Sequence, residues 1–95
     1  MSKKKIYISG KIKGLDNYKE LFNAAEKEYI DKGWKVINPT RIEHISSKWG
    51  DIILDDLHVL NSCDAIFMLN NWQDSFGAQT EHYFAKGNNL EIIYQ

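Results

Sequence analysis

The chain has 95 residues, the size of one small domain, and we expect residues 1–95 to fold as a single unit. Its 43% hydrophobic and 26% charged residues are typical of a globular protein, and its net charge of −1 gives no basic excess that would indicate a nucleic-acid partner. The apolar runs are too short to span a membrane and the N-terminus lacks the apolar core of a signal peptide, so we expect a cytoplasmic protein.

The first half of the chain predicts a strand, a helix and a second strand. The apolar run KIYIS, residues 5–9, has the length and composition of a buried strand. Apolar residues at steps near 3.6 predict a helix that starts after Asp16 and ends at Gly33. The run WKVIN, residues 34–38, predicts the second strand.

The second half repeats the alternation. A helix is expected after a cap at Ser46 or Ser47, and the run AIFML, residues 65–69, predicts the third strand. A third helix leads to LEIIY, residues 90–94, the predicted fourth strand. Strands that alternate with helices indicate right-handed βαβ units. We therefore expect an α/β three-layer sandwich, flavodoxin-like or Rossmann-like, around a small parallel sheet of four strands in the order 2-1-3-4.

Ligands of such sheets bind beyond the carboxyl ends of the strands, at the switch point between strands 1 and 3. The loops expected there are residues 9–17, 38–41 and 70–77. Glycines in the first loop allow close approach of a ligand, but the loop is not the GxGxxG fingerprint of dinucleotide sites. The candidate ligand contacts in these loops are Ser9, Gly10, Lys11, Ile12, Asn70, Trp72, Ser75 and Gly77.

The third helix carries an acid among its apolar residues. It is predicted to run from a cap at Asp74 or Ser75 to near Gly87, with Phe76 among the residues that can pack. Glu81 lies at helical spacing from apolar residues on both sides of it. Its carboxylate is therefore predicted to point inward.

The second helix repeats this pattern at Asp56, which follows Ile53 by three residues and precedes Leu60 by four. Two inward carboxylates beside a ligand crevice are typical of enzymes that break a glycosidic bond. One carboxylate acts as the nucleophile, and the other transfers the proton of the leaving group. Inward acids are also often paired with a lysine or arginine, and the sequence leaves that interpretation open. Tyr7 in strand 1 could hold a nucleophilic carboxylate in place, or it could only pack.

Other candidates also have a structural interpretation beside the functional one. Ser75 and Gly77 open the third helix, where backbone N–H groups form an anion site, although Ser75 could only cap the helix. Trp72 could stack on a base or cover the edge of the core. The histidines are not at ligand spacing, and Asp55 and Asp56 lack the loop of a cation site, so we expect no metal.

The segments IYISGKIKG, DLHVLNSCDAIFML and SFGAQTEHYFAK, in this order, resemble the nucleoside 2-deoxyribosyltransferase superfamily. That superfamily also includes 2'-deoxynucleoside 5'-phosphate N-hydrolase. The resemblance covers nearly the whole chain and is greatest to short members from bacteria and their phages. It implies cleavage or transfer of an N-glycosidic bond through a glutamate nucleophile, without a cofactor.

The resemblance assigns roles residue by residue. The family's nucleophile lies in a Gly-x-x-x-Glu arrangement that Gly77 and Glu81 match, and Tyr7 matches the tyrosine that holds its carboxylate. Asp56 matches the aspartate that assists the departing base. Ser75 occupies a position where the monophosphate hydrolase has a serine that meets phosphate and the transferases tend to have an acid. The match therefore favours a 5'-phosphorylated ligand.

The expected partner is a small nucleotide or nucleoside, not a nucleic-acid polymer or a membrane. Many relatives have a proline after the glycine of strand 1, where this chain has Lys11, which could meet a phosphate. A core this small supplies little stability alone, which favours a homodimer or larger homo-oligomer.

Two alternatives stay open: a non-catalytic module that senses or sequesters a nucleotide, and a structural subunit whose acids are only paired. The short segment after strand 4 favours the binding module. The set of Tyr7, Asp56 and Glu81 favours the enzyme.

Overall fold

A parallel sheet of four strands forms the centre of the protein in a computed structural model that describes residues 3–95. The elements in chain order are β1 (Lys5–Ser9), α1 (Tyr18–Asp31), β2 (Lys35–Ile37), α2 (Trp49–Leu60), β3 (Ala65–Met68), α3 (Phe76–Gly87) and β4 (Glu91–Tyr94), with 3₁₀ turns at Pro39–Arg41 and Trp72–Asp74. The strands lie in the order β2-β1-β3-β4, all parallel. The predicted α/β fold and strand order are thus confirmed.

Helix α1 covers one face of the sheet, and helices α2 and α3 cover the other. Strand β1 serves both layers because successive side chains of a strand point to opposite faces. Ile6 and Ile8 pack with Phe22 of α1, whereas Tyr7 packs with Ala78 of α3. Within residues 3–95, none of the helices has the length and apolar composition needed to cross a membrane.

The ends of α1 and α2 show where the sequence predicted correctly and where it did not. α1 ends as expected before Gly33, whose φ of +94° suits glycine. The predicted serine cap of α2 was wrong, because Lys48 is the N-cap residue and makes no side-chain cap bond. The Ser46 hydroxyl instead accepts a hydrogen bond from the Lys48 N–H at 3.1 Å, a local turn just before the helix.

Helix α3 begins as predicted but packs differently at its first residue. Ser75 is its N-cap, and the Ser75 hydroxyl accepts a hydrogen bond from the Ala78 N–H at 3.1 Å. Phe76 does not join the core, since 73% of its surface is exposed. Its ring instead contacts the ring of Trp49 at the start of α2, with centroids 5.5 Å apart.

The loop after β1 lies close against the segment that follows β3. A Cβ atom at Gly10 would come within 2.7 Å of the Leu69 side chain, so this approach requires a glycine. The next residue, Lys11, donates its backbone N–H to Asn71 Oδ1 at 2.9 Å. Gly14 closes the loop with a φ of +79°. This packing fixes the first loop at the carboxyl edge of the sheet.

Candidate functional site

Glu81 of α3 is buried, with 6% of its surface exposed, and two hydroxyl groups hold its carboxylate. The Tyr7 hydroxyl donates to Oε2 and the Ser9 hydroxyl donates to Oε1, each at 2.6 Å. Both donors come from β1 and lie two residues apart, so strand geometry puts them on the same face of the sheet. Among the described residues, no lysine or arginine forms a salt bridge with Glu81. The carboxylate is therefore held by neutral donors alone.

The protonation of this group is shifted toward neutral pH. Burial raises the pKa of Glu81 to about 7, although the hydrogen bonds from Ser9 and Tyr7 lower it. Burial, followed by the charge of Glu81, raises the pKa of Tyr7 well above its ordinary value. The phenol therefore stays protonated and remains a donor, while the carboxyl group populates both of its forms near pH 7.

Asp56 of α2 is the second inward acid, and 13% of its side chain is exposed. Its Oδ1 atom is buried and has no hydrogen-bond partner among the residues that the structure describes. The imidazole of His44 lies beside it, with Nε2 3.6 Å from Oδ1. Burial raises the pKa of Asp56 to about 6, and the charge of His44 opposes that rise. Asp56 and Glu81 thus have unlike environments, one beside a histidine and the other between two hydroxyls.

Both acids line one cavity of about 590 Å³ at the carboxyl edge of the sheet. That volume lies within the range of small-molecule sites. The loop after β1, the first residues of α3 and one face of α2 supply the walls. The lining residues are Gly10, Lys11, Ile12, Lys13, Trp49, Ile52, Ile53, Asp56, Asp74, Ser75, Phe76, Gly77, Ala78 and Glu81.

The structure brings most of the candidate ligand contacts to this cavity. Gly10, Lys11 and Ile12 line it from the first loop, and Ser75 and Gly77 line it from α3. Ser9 does not line it. That side chain is fully buried behind Glu81, so its position is that of a support for the carboxylate.

Asn70 and Trp72 do not line the cavity. The Trp72 ring stacks on His82, with centroids 4.2 Å apart and planes 27° apart, and packs against the core beneath α3. This position matches the interpretation in which Trp72 covers the edge of the core, and not the one in which it stacks on a base. Asn70 is exposed, and its backbone N–H donates to Gln95 Oε1 at 2.9 Å.

Trp49 and His44 lie at this site but were not among the predicted site residues. Trp49 is the first residue of α2 and lines the cavity, with about half of its surface exposed. It precedes Ile53 by four residues, so helical spacing in the predicted helix already places it on the face of Ile53. His44 lies in an irregular loop, where no periodicity indicates the direction of a side chain.

Comparison with known proteins agrees with this architecture. A family model described as a domain of unknown function, DUF4406, matches residues 4–94. The chain belongs to the DUF4406 family. A search of curated proteins gave no match.

Among solved structures, this DUF4406 chain is similar to a 2-desoxiribosyltransferase from Leishmania mexicana. The TM-score is 0.74 at 21% sequence identity, and the match covers 96% of this chain. It spans 63% of the length of the Leishmania protein. At this identity the similarity establishes a shared fold.

Proposed function

We propose that this protein cleaves the N-glycosidic bond of a 2'-deoxynucleoside 5'-monophosphate or a deoxynucleoside, by hydrolysis or by transfer, with Glu81 as the nucleophile. The observation that carries the proposal is the buried Glu81 carboxylate, held by two hydroxyls in a cavity that contains a second acid. An unpaired acid in a core is unfavourable for stability, and such groups cluster at functional sites. The shared fold with a 2-desoxiribosyltransferase supports the same chemistry, as does the sequence resemblance to that superfamily and its monophosphate hydrolase.

In the first step, a Glu81 oxygen attacks the anomeric carbon and forms a glycosyl ester. The carbon–nitrogen bond breaks, and its electron pair leaves with the base. The hydroxyls of Tyr7 and Ser9 fix the orientation of the carboxylate before the reaction. Because the sugar lacks a 2'-hydroxyl, positive charge develops more easily at the anomeric carbon. Water then releases deoxyribose 5-phosphate and frees Glu81; a second base in place of water would make the protein a transferase.

Asp56 supplies a proton to the departing base. Its carboxyl lines the same cavity as Glu81, and its pKa of about 6 leaves part of the population protonated near neutral pH. A proton delivered to a ring nitrogen makes the base a better leaving group. Asp56 thus acts as a general acid opposite the nucleophile.

The phosphate is expected at the N-terminus of α3. The Ser75 hydroxyl oxygen accepts the Ala78 N–H, which leaves the hydroxyl hydrogen available for a phosphate oxygen. Backbone N–H groups at the helix start and the side chain of Lys11 add favourable charge. The base would lie against the exposed rings of Trp49 and Phe76, which form the apolar wall.

A panel of deoxynucleosides and their 5'-monophosphates tests the proposal, with released base followed by chromatography. We expect release by the wild type and by Glu20→Gln, a matched change at an exposed acid of α1, and no release by Glu81→Ala. Equal release by Glu81→Ala would remove Glu81 from the mechanism. Calorimetric binding of a nucleotide without any product on long incubation would identify a binding module instead.

We also propose that the protein self-associates through the rim of the cavity. Trp49, Phe76 and Tyr83 expose 52%, 73% and 81% of their surfaces. The Phe76 ring contacts the ring of Trp49, and Phe76 also lines a second, smaller pocket together with Tyr83. Large exposed aromatic side chains that lie together are typical of an interface. Light scattering should give at least a dimer, and a monomer at high concentration would contradict this.

A further inference from the structure

We infer that His44 is a positioning residue for Asp56 and returns to it the proton that Asp56 gives to the leaving base. This inference rests on the proposed function. Its basis is the geometry of three side chains, in which one imidazole lies between two consecutive carboxylates of α2.

His44 belongs to the loop that leads into α2, and each of its ring nitrogens faces a different acid. Nδ1 lies 3.0 Å from Asp55 Oδ2, within hydrogen-bond distance. Nε2 lies 3.6 Å from Asp56 Oδ1, an ion-pair separation that is longer than a hydrogen bond. Asp55 therefore fixes the direction of the ring, and the ring turns its second nitrogen toward the acid of the cavity.

Exposure differs along this row of three groups. The side chain of Asp55 is 56% exposed, whereas those of His44 and Asp56 are 17% and 13% exposed. The row thus leads from solvent to the buried Oδ1 atom of Asp56, which has no hydrogen-bond partner among residues 3–95. A buried carboxylate is unfavourable unless a nearby group can pair with its charge.

The chemistry follows from the two forms of the imidazole. Asp55 accepts the Nδ1–H bond, as a carboxylate does when it orients a catalytic histidine. After Asp56 has given its proton to the base, the Nε2–H of the imidazolium can return one to the Asp56 carboxylate. The neutral ring keeps its hydrogen on Nδ1, so Nε2 is the atom that takes up a proton to restore the imidazolium. The water that hydrolyses the glycosyl ester releases one proton, so the proton count balances.

Other charged groups also act on Asp56, and a test must separate them from His44. Glu81 of α3 and Tyr7 of β1 both feel the charge of Asp56. Lys11 and Lys13 line the same cavity. A change confined to His44 leaves all four of these groups in place.

Two substitutions of His44 each keep a group near one ring nitrogen and remove the other nitrogen. In His44→Asn the amide nitrogen lies near the position of Nδ1, which keeps the contact to Asp55 and loses the one to Asp56. In His44→Gln the amide nitrogen lies near the position of Nε2, which keeps a neutral donor beside Asp56. His58→Ala, at an exposed histidine of α2, is the matched control. Circular dichroism melts establish that each variant is folded.

The first measurement needs no turnover: carboxyl carbon NMR follows the titration of Asp56 in the ligand-free protein. Because the positive charge of His44 stabilises the ionised acid, we expect the Asp56 pKa to rise by about 0.5 or more in both His44 variants. It should be unchanged in His58→Ala. An unchanged Asp56 titration in both His44 variants would overturn the inference.

The second measurement is the rate of base release against pH. We expect kcat to fall about tenfold or more in His44→Asn, less in His44→Gln, and KM to stay within about twofold in both. A change in KM alone, or a pH profile identical to that of the wild type, would overturn a role in proton return. If the wild type releases no base from any substrate, the proposed function fails, while the NMR titration still decides whether His44 acts on Asp56.

Discussion

Replacing Glu81 with glutamine should make the protein inactive and, at alkaline pH, more stable. Glutamine has nearly the same shape as glutamate and carries no charge. Its amide oxygen can accept the Tyr7 hydroxyl, and its amide nitrogen can donate to the Ser9 oxygen, so both contacts keep a partner. The substitution therefore removes the buried charge and leaves the packing in place.

The magnitude follows from the pKa of the native carboxyl. Burial raises that pKa from 4.5 to about 7. Each factor of ten in proton affinity corresponds to about 1.4 kcal/mol, so the ionised native form is disfavoured by about 3 kcal/mol at pH 8. Between these two pKa values the native state binds a proton that the unfolded state has lost, so stability falls as pH rises and levels off above about 7.

Urea unfolding of wild type and Glu81→Gln at pH 4 and pH 8 measures this effect. We expect the variant to be more stable by about 1–3 kcal/mol at pH 8 and nearly equal to the wild type at pH 4, where the native carboxyl is protonated. Glu20→Gln, at an exposed acid, should stay within about 0.5 kcal/mol at both values. A Glu81→Gln protein that is less stable at pH 8, or a difference that does not depend on pH, would refute the reasoning.

Three further predictions concern the pH dependence, the phosphate and the first loop. The mechanism needs Glu81 ionised and Asp56 protonated, so kcat/KM for base release should have a bell-shaped pH profile with limbs near pH 6 and 7 and a maximum at about 6.5. A plateau that extends to pH 9 would contradict this. Ser75→Asp keeps a helix cap but repels phosphate, so the ratio of activity on monophosphates to that on nucleosides should fall at least about tenfold, whereas unchanged selectivity would move the phosphate elsewhere. Gly10→Ala forces a Cβ to within 2.7 Å of Leu69 and should lower the free energy of unfolding by about 1–3 kcal/mol, while Gly50→Ala, in open space on α2, should not lower it.

The regular elements were predictable because their side chains repeat at a fixed period. The strand period of two places Tyr7 on one face of β1 and Ile6 and Ile8 on the other, and the helical period placed Glu81 inward on α3. Parallel strands then put the ends of β1 and β3 at one edge. Right-handed connections permit several strand orders, and 2-1-3-4 was expected because it is a common doubly wound arrangement.

The parts that were not predictable lie where no period applies. Trp72 opens a 3₁₀ turn, where no period indicates the direction of a side chain, and its ring stacks on His82 and does not line the cavity. Ser9 was expected to contact a ligand, yet it supports Glu81, because the last residue of a strand can face the crevice or the helix behind it. The start of α2 at Trp49 depends on a local turn at Ser46, and serine is common both in such turns and in caps.

The most direct test of the central claim is to trap the bond between Glu81 and the sugar. A deoxynucleoside 5'-monophosphate with fluorine at C2' slows the steps that pass through positive charge at the anomeric carbon, and its covalent adduct can be located by mass spectrometry of digested protein. We predict a sugar-phosphate adduct on the peptide that contains Glu81 in the wild type and none in Glu81→Gln. Release of base without an adduct at Glu81, or with an adduct on another residue, would contradict the claim that Glu81 is the nucleophile.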